Sequence, residues 1–474
     1  MEGLEIQEIR LSKITTNDSS IRIDSEYFKK EFIDIENYFI KNNFSYLHEL
    51  ANISDGDHAK FPENQKQEVR YLQAKDIKNS FIEDKTPIFV SRDYFLKNKR
   101  SHISSENILL SIMGNVGDIA LTPLNFEPCM ANRAIAILKN IKNVDVYFLF
   151  SFLNSEIAKI QIEQQKNGGV QERLNLELLS KIKIPLLSNS FQKNIGGIVK
   201  KSNRLRKNFI TFYFNAEKIL LDDLDFSKLS FIKKNNVKFL KESFLTTGRL
   251  DAEYYQPKYD EYLNLLKNYH NGFKKLTDLC ELKNDNYLPN DETQYRYIEL
   301  SNIGNNGEVT GCTVNFGKEL PSRARRIVKE GDVLISSIEG SLSSCALVTK
   351  EYDGVICSTG FYVVNSKKIN SETLLILFKS ELMQNLLKQG CSGTILTAIN
   401  NDEFKNLLLP VIDDNTQQTI ASLIQQSSKL KKQSEQLLEV AKKAVEIAIE
   451  QNEATAIDYI NSYSELMQED INLH

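Results

Sequence analysis

FQKNIGGIVKKSNRLRKNFITFYFNAEKILLD, residues 191–222, decides the architecture. Ile195, Ile198, Ser202, Leu205, Phe209, Phe212, Ala216 and Ile219 are spaced 3, 4, 3, 4, 3, 4, 3. This is the a/d rhythm of a coiled-coil seam and predicts one long helix. Adding 225 to each number gives Ile420, Leu423, Ser427, Leu430, Ser434, Leu437, Ala441 and Ala444, inside TQQTIASLIQQSSKLKKQSEQLLEVAKKAVEIAIE, residues 416–450. Both stretches lack proline, and each follows one, Pro185 or Pro410. The spacing therefore predicts two copies of one helix that pack on each other; two unrelated amphipathic helices on separate cores is the competing reading.

The repeat reaches well beyond the helices. RIDSEYF at 22–28 is answered by RLDAEYY at 249–255, and Arg70-Tyr71-Leu72 with Ile77 by Arg296-Tyr297-Ile298 with Ile303. Gly114, Ala120 and Leu121 match Gly340, Ala346 and Leu347. Ser155, Glu156, Gly168, Asn175 and Pro185 match Ser380, Glu381, Gly393, Asn400 and Pro410. The offset drifts only from 227 to 225, as expected of two diverged copies with small insertions. Within each copy, short apolar runs at 107–113, 134–138, 332–336 and 361–364 read as strands, and 146–165 and 372–389 as helices. The fold class expected is α+β: two tandem modules, each followed by a long helix, with residues 223–237 as the hinge between copies.

With 474 residues, 41% hydrophobic and 26% charged, the chain has the composition of a soluble globular protein of several domains. The opening MEGLEIQEIRLSK places acids where a secretory signal needs bases, and no apolar run approaches a membrane span, so a cytoplasmic location is expected. Cys129, Cys280, Cys312, Cys345, Cys357 and Cys391 include no C-x-x-C pair, which supports neither a zinc site nor a disulfide framework. Phosphate-binding and zinc-protease motifs are absent, and no Pro-Pro dipeptide is available for the base-holding loop of amino-group DNA methyltransferases. None of the five histidines recurs at the repeat offset; His58, in Asp55-Gly56-Asp57-His58, is expected in a solvated loop.

Basic charge does recur. Lys97, Lys99 and Arg100 map at offset 226 onto Arg323, Arg325 and Arg326, each group just upstream of a predicted strand. Clustered Lys and Arg suit phosphate contact, which gives affinity and register without sequence information. Asn115 and Ser341, beside Gly114 and Gly340, sit in turns able to reach a base edge. Asn132, Arg133, Gln171 and Arg173 carry groups that can make bidentate base contacts, Arg to guanine and Asn or Gln to adenine. Thr359-Gly360 and residues 396–398 stand at the corresponding places of the second copy, as two modules reading different sequences would require. The first long helix carries seven Lys or Arg against two acids, a face for DNA, for an acidic partner or for solvent.

The chain resembles the specificity subunits of type I restriction-modification systems, with those of type IIB systems close behind. The resemblance is carried by the paired R-[IL]-D-[SA]-E-Y-[FY] motifs, the basic stretches running into Ile-Leu-Leu-Ser111 and Val-Leu-Ile-Ser336, Gly114 and Gly340, and Pro185/Gln192 with Pro410/Gln417. It implies target-recognition domains at 1–190 and 225–414, spacer helices at 191–224 and 415–450 packed as an antiparallel coiled coil with pseudo-twofold symmetry, and an extension at 451–474. It also implies one half of a bipartite double-stranded DNA site read per domain, docking of DNA methyltransferase and restriction or translocase subunits, and no catalytic centre. S-adenosylmethionine, ATP and Mg would belong to those partners. On the residues alone, a coiled-coil adaptor with two protein-binding modules and a stand-alone metal-dependent nuclease stay open.

Overall fold

A computed structural model describes residues 8, 25–61, 66–78, 80–83, 87–166, 173–229, 237–283, 285–393 and 397–468. Arg22 to Asp24, Gly168, Gln171, Leu396, residues 230–236 of the expected hinge and the last residues of the tail lie outside them. The two long helices are α1, Asn189–Asp223, and α2, Asp414–Glu450. The chain divides into two compact units, Met1–Arg206 with Lys431–His474, and Lys207–Leu430, so each unit contains the first part of one long helix and the last part of the other.

Each unit builds the same two sheets. In the first, strands at 52–55, 135–139, 108–111 and 119–121 lie in that order, all antiparallel. Beside them, strands at 89–90, 69–72, 129–131 and 102–103 form a mixed sheet in which 69–72 and 129–131 run parallel. The second unit repeats this with 281–283, 361–365, 333–336 and 345–347, and with 313–316, 294–298, 356–358 and 324–327, again with one parallel pair. A clasp of the strand before each module onto the strand at its proline, Phe44↔Pro185 and Phe273↔Pro410, closes each module at the root of its long helix.

Strand alternation explains the layering. Val333, Ile335, Tyr362 and Val364 point into a core shared with the helices, while Leu334, Phe361 and Val363 point the other way, onto Ile298 and Cys357 of the second sheet. A strand covered on both faces must be apolar throughout, and for this reason Ile108-Leu109-Leu110-Ser111 lacks the polar alternation of a half-exposed strand. The helices expected at 146–165 and 372–389 are each two helices, broken at Asn154-Ser155 and at Ser380. The hydroxyls of Ser155 and Ser380 cap the second segments by accepting from Ala158 and Met383 amides, with the serine backbone extended.

In the seam, Ile195, Ile198, Ser202, Leu205, Phe209 and Ala216 are buried as the spacing predicts, but Tyr213 and Leu220 take the burial expected of Phe212 and Ile219. An α-helix of 3.6 residues per turn drifts about 20° per heptad against a 3.5 repeat, which moves the buried stripe by one residue. Ser202 and Ser434 hydrogen-bond hydroxyl to hydroxyl at 3.0 Å in the first unit, and Ser427 donates to the Phe209 carbonyl at 2.8 Å in the second. Residue numbers rise along α1 as they fall along α2, so the pair is antiparallel.

The shared motifs are structural clips. Gln192 accepts from the Asp145 amide at 2.9 Å and donates to Leu187, and Gln417 does the same with Asn370 and Ile412, tying each long helix to the cap of its module's main helix. In RLDAEYY, Arg249 binds Asp251 through Nε and Nη2 at 2.8 and 2.7 Å, donates to the Cys391 carbonyl at 2.8 Å, and stacks 4.3 Å from the Tyr254 ring centre. Gln389 reaches the Tyr254 carbonyl at 3.0 Å, as Gln164 reaches that of Tyr27 at 3.2 Å. The extension begins as a helix, Glu453–Asn461, whose Ala456 and Ile460 are buried and whose Glu453 accepts from the Ser188 amide at 2.7 Å. No disulfide joins any of the six cysteines, five of which are buried.

Candidate nucleic-acid interface

The first basic group sits on a short helix, Arg92–Lys97, and the turn after it. Ser91 caps that helix by accepting from the Tyr94 amide. Lys97, Lys99 and Arg100 are all exposed. Arg100, however, is ion-paired with Asp55, whose carboxylate also meets His58 Nε2 at 2.6 Å. The loop Asp55 to His58 is therefore only partly solvated: the His58 side chain is 58% exposed, but Asp55 and Asp57 are buried.

The second group differs from the first. Arg323 is exposed, and Arg325 lies along the surface with Nε donating to the Ser322 carbonyl at 3.0 Å. Arg326 turns inward, where its Nη1 donates to the Phe361 carbonyl, its guanidinium lies 5.9 Å from the Tyr362 ring centre, and burial lowers its pKa. His102 faces Met130, whereas Ile327 faces the equivalent Ile356, and an irregularity separates Ala324 from Arg326. The strand register at His102 and Ile327 is already one residue off the offset of 226 that aligns the groups in sequence, so Arg326 does not superpose on Arg100, and the bulge displaces Arg323 and Ala324 further.

The remaining candidates gather at one edge of the central sheet, where the strands at 52–55 and 108–111 end and the strand at 135–139 begins. Arg133 donates its amide to the Asp57 carbonyl at 2.9 Å, Ile112 donates to the Ala134 carbonyl at 2.8 Å, and Met113 bridges Arg173. Asp57, Arg133, Met113 and Arg173 thus lie on adjacent segments. Gly56 is needed there, because a Cβ would stand 2.1 Å from the Asn132 carbonyl oxygen. Tyr94 donates to Asp57 at 2.6 Å, and burial, then this carboxylate, pushes its pKa up. The sequence reading set Asp55 and Asp57 in a solvated loop and did not single out Tyr94; a glycine set between two acids was the available signal of a close approach.

The second unit has the same edge. Ser337 donates to the Gly360 carbonyl at 2.9 Å, and Ile338 bridges Ala398. Asn132 Oδ1 accepts from the Ala134 amide as Ser358 Oγ accepts from Gly360, both at 3.1 Å. Ser358 is therefore the counterpart of Asn132, and Thr359 that of Arg133, one residue from the alignment made in sequence. With Oδ1 engaged in its own turn, Asn132 does not present both amide atoms to a base. Asn115 is exposed in the turn after Gly114, whose φ is 82°. Ser341 is half-buried, its hydroxyl 2.9 Å from Ser336 Oγ, and serves its own turn. On α1, Arg206 lies 3.6 Å over the Phe81 ring and Lys200 4.9 Å over Tyr147, so part of that helix's charge covers aromatic surface of its own unit.

Among the described residues no group of three or more His, Cys, Asp or Glu is placed to hold a metal ion, and no helix is long and apolar enough to cross a membrane. A model of the type I restriction modification DNA specificity domain matches the chain twice, at 40–210 and 270–440. The specificity subunit of the type I restriction enzyme HindI of Haemophilus influenzae is 29% identical over 141 residues, 28% of this chain and 30% of that protein. The matched stretch thus spans about three-tenths of that relative's length. The crystal structure of a type I system S subunit from M. genitalium aligns over 88% of this chain and 95% of its own at 13% identity, TM-score 0.37. The HsdS subunit of Thermoanaerobacter tengcongensis aligns over 86% and 97% at 14% identity, TM-score 0.30. With the family model matched in both halves, the chain belongs to the type I restriction modification DNA specificity family.

Proposed function

We propose that this chain is the non-catalytic specificity subunit of a restriction-modification complex and that it reads a bipartite DNA site, one half-site per unit. Residues 1–190 and 225–414 act as the recognition domains, 191–224 and 415–450 as the spacer. The observation that carries this reading is the recurrence of one sheet edge in both units with different side chains on it: Arg133 and Arg173 in one, Thr359 and Ala398 in the other. A shared scaffold with unlike contact residues is what two modules reading different sequences need. Lys97, Lys99, Arg323 and Arg325 supply phosphate contacts beside these edges. The helix pair docks the methyltransferase and restriction subunits, which bring S-adenosylmethionine, ATP and Mg. Methylome sequencing of a host carrying the complete system tests this: a bipartite motif with a non-specific gap is expected, and a single continuous motif would overturn the two-module reading.

A further inference from the structure

We propose that His58 is a DNA-backbone contact of the first unit: its imidazole, held by the buried Asp55 carboxylate, donates from Nδ1 to one phosphate of the first half-site. This rests on the DNA-recognition reading above and adds to it a contact that the second unit lacks.

Asp55 is 8% exposed, and its two oxygens hold side chains from two different segments. Oδ1 takes Nη2 of Arg100 from the turn at 99–101, and Oδ2 takes Nε2 of His58 at 2.6 Å from its own loop. The turn is itself fastened to this strand, since the Arg100 carbonyl accepts from Ser54 Oγ at 3.3 Å and from Lys139 Nζ at 2.8 Å. Asp57, the other acid of the loop, accepts from the Tyr94 hydroxyl and the Ala59 amide, and its carbonyl binds the Arg133 amide. His58 is thus fixed between the turn that carries Lys99 and the edge that carries Arg133, with its side chain 58% exposed.

Holding one ring nitrogen decides what the other can do. An ionised carboxylate only accepts, so the proton on Nε2 belongs to the Asp55 bond, and a charged imidazole has Nδ1–H as its one remaining donor. Among the described residues Nδ1 meets no partner. A single oriented N–H suits one phosphate oxygen and cannot supply the paired contacts that tell bases apart. Arg100 balances the Asp55 charge behind the ring, so the loop does not repel a phosphate.

The second unit lacks this arrangement. Asn52 pairs with Lys139 as Glu281 pairs with Asn365, and counting six residues on from each puts Tyr287 at the position of His58. The Tyr287 hydroxyl lies 3.0 Å from that of Tyr295, and Arg326 turns to the Phe361 carbonyl. Neither brings a cation oriented by a carboxylate.

The test uses the full chain with the modification subunits it assembles with and the duplex that methylome sequencing identifies, carrying one neutral methylphosphonate at each backbone position in turn. In the unaltered complex several first-half positions should lose affinity. In His58→Ala one of these, with a cost of roughly tenfold, should stop costing affinity, and the salt slope should fall by about 0.9. The second-half profile, an internal measure of folding, should stay as in the unaltered chain. His58→Gln can still donate to Asp55 but brings no charge, and should behave as His58→Ala does. Penalties kept at every first-half position in both variants would overturn the contact while DNA recognition stands. Full recovery in His58→Gln would do the same, leaving His58 only to satisfy Asp55. A complex with no bound motif, or one insensitive to methylphosphonate in both half-sites, would overturn the DNA-recognition reading and this inference with it.

Discussion

Replacing Lys97 and Lys99 together by Ala should weaken DNA binding evenly across sequences and flatten its salt dependence. Each phosphate contact contributes about 0.9 to the slope of log affinity against log salt, so two contacts contribute roughly 1.8. Between 50 and 200 mM salt that slope corresponds to roughly a tenfold smaller loss of affinity in the variant. Adding Arg100→Ala should change the slope little further, because this guanidinium is already ion-paired with Asp55. Its loss instead strands a buried carboxylate and lowers the stability of the first unit. The assay is fluorescence anisotropy with two labelled duplexes of unrelated sequence, titrated at several salt concentrations. An unchanged slope in the folded double variant would refute the phosphate face. A full further drop of about 0.9 on removing Arg100 would show that the Asp55 pair opens on DNA.

Two further outcomes follow from the scaffold. Ser202→Ala and Ser434→Ala should each cost about 1 kcal/mol, and the double variant close to their sum, because each hydroxyl also donates to the other serine's carbonyl and keeps that partner when the other hydroxyl is removed; hydrogen exchange of seam amides in the first unit measures this, and a double variant costing clearly less than the sum would show that the hydroxyl-to-hydroxyl contact dominates. The hydrogen bonds from Arg249 to Asp251 and from Tyr259 to Glu253 hold these carboxyls below their ordinary 3.8 and 4.5. Groups with depressed pKa values stabilise the fold fully above those ordinary values and lose the contribution as pH falls through the depressed ones. The segment 249–259 should therefore loosen only in acid, with Asp251→Asn less acid-sensitive, as read by exchange corrected for intrinsic rate; equal acid sensitivity in both proteins would refute the assignment.

The sequence by itself determined the duplication, the two long helices and the strand runs. All of these are periodic or repeated, and a repeat signals itself at any distance along the chain. It also marked Gln192, Gln417 and the R-[IL]-D-[SA]-E-Y-[FY] motifs as shared, though not that they are clips. Tertiary structure alone decided which charges face outward. Arg100 and Arg326 look alike in sequence, but one meets a buried carboxylate some 45 residues away and the other a carbonyl some 35 residues on. It also decided that Thr359, not Gly360, answers Arg133, and that Asp55 and Asp57 are buried. Such outcomes depend on strand register, on a bulge and on a glycine that lets two segments touch. These are contacts between residues far apart in the chain, and no local pattern encodes them.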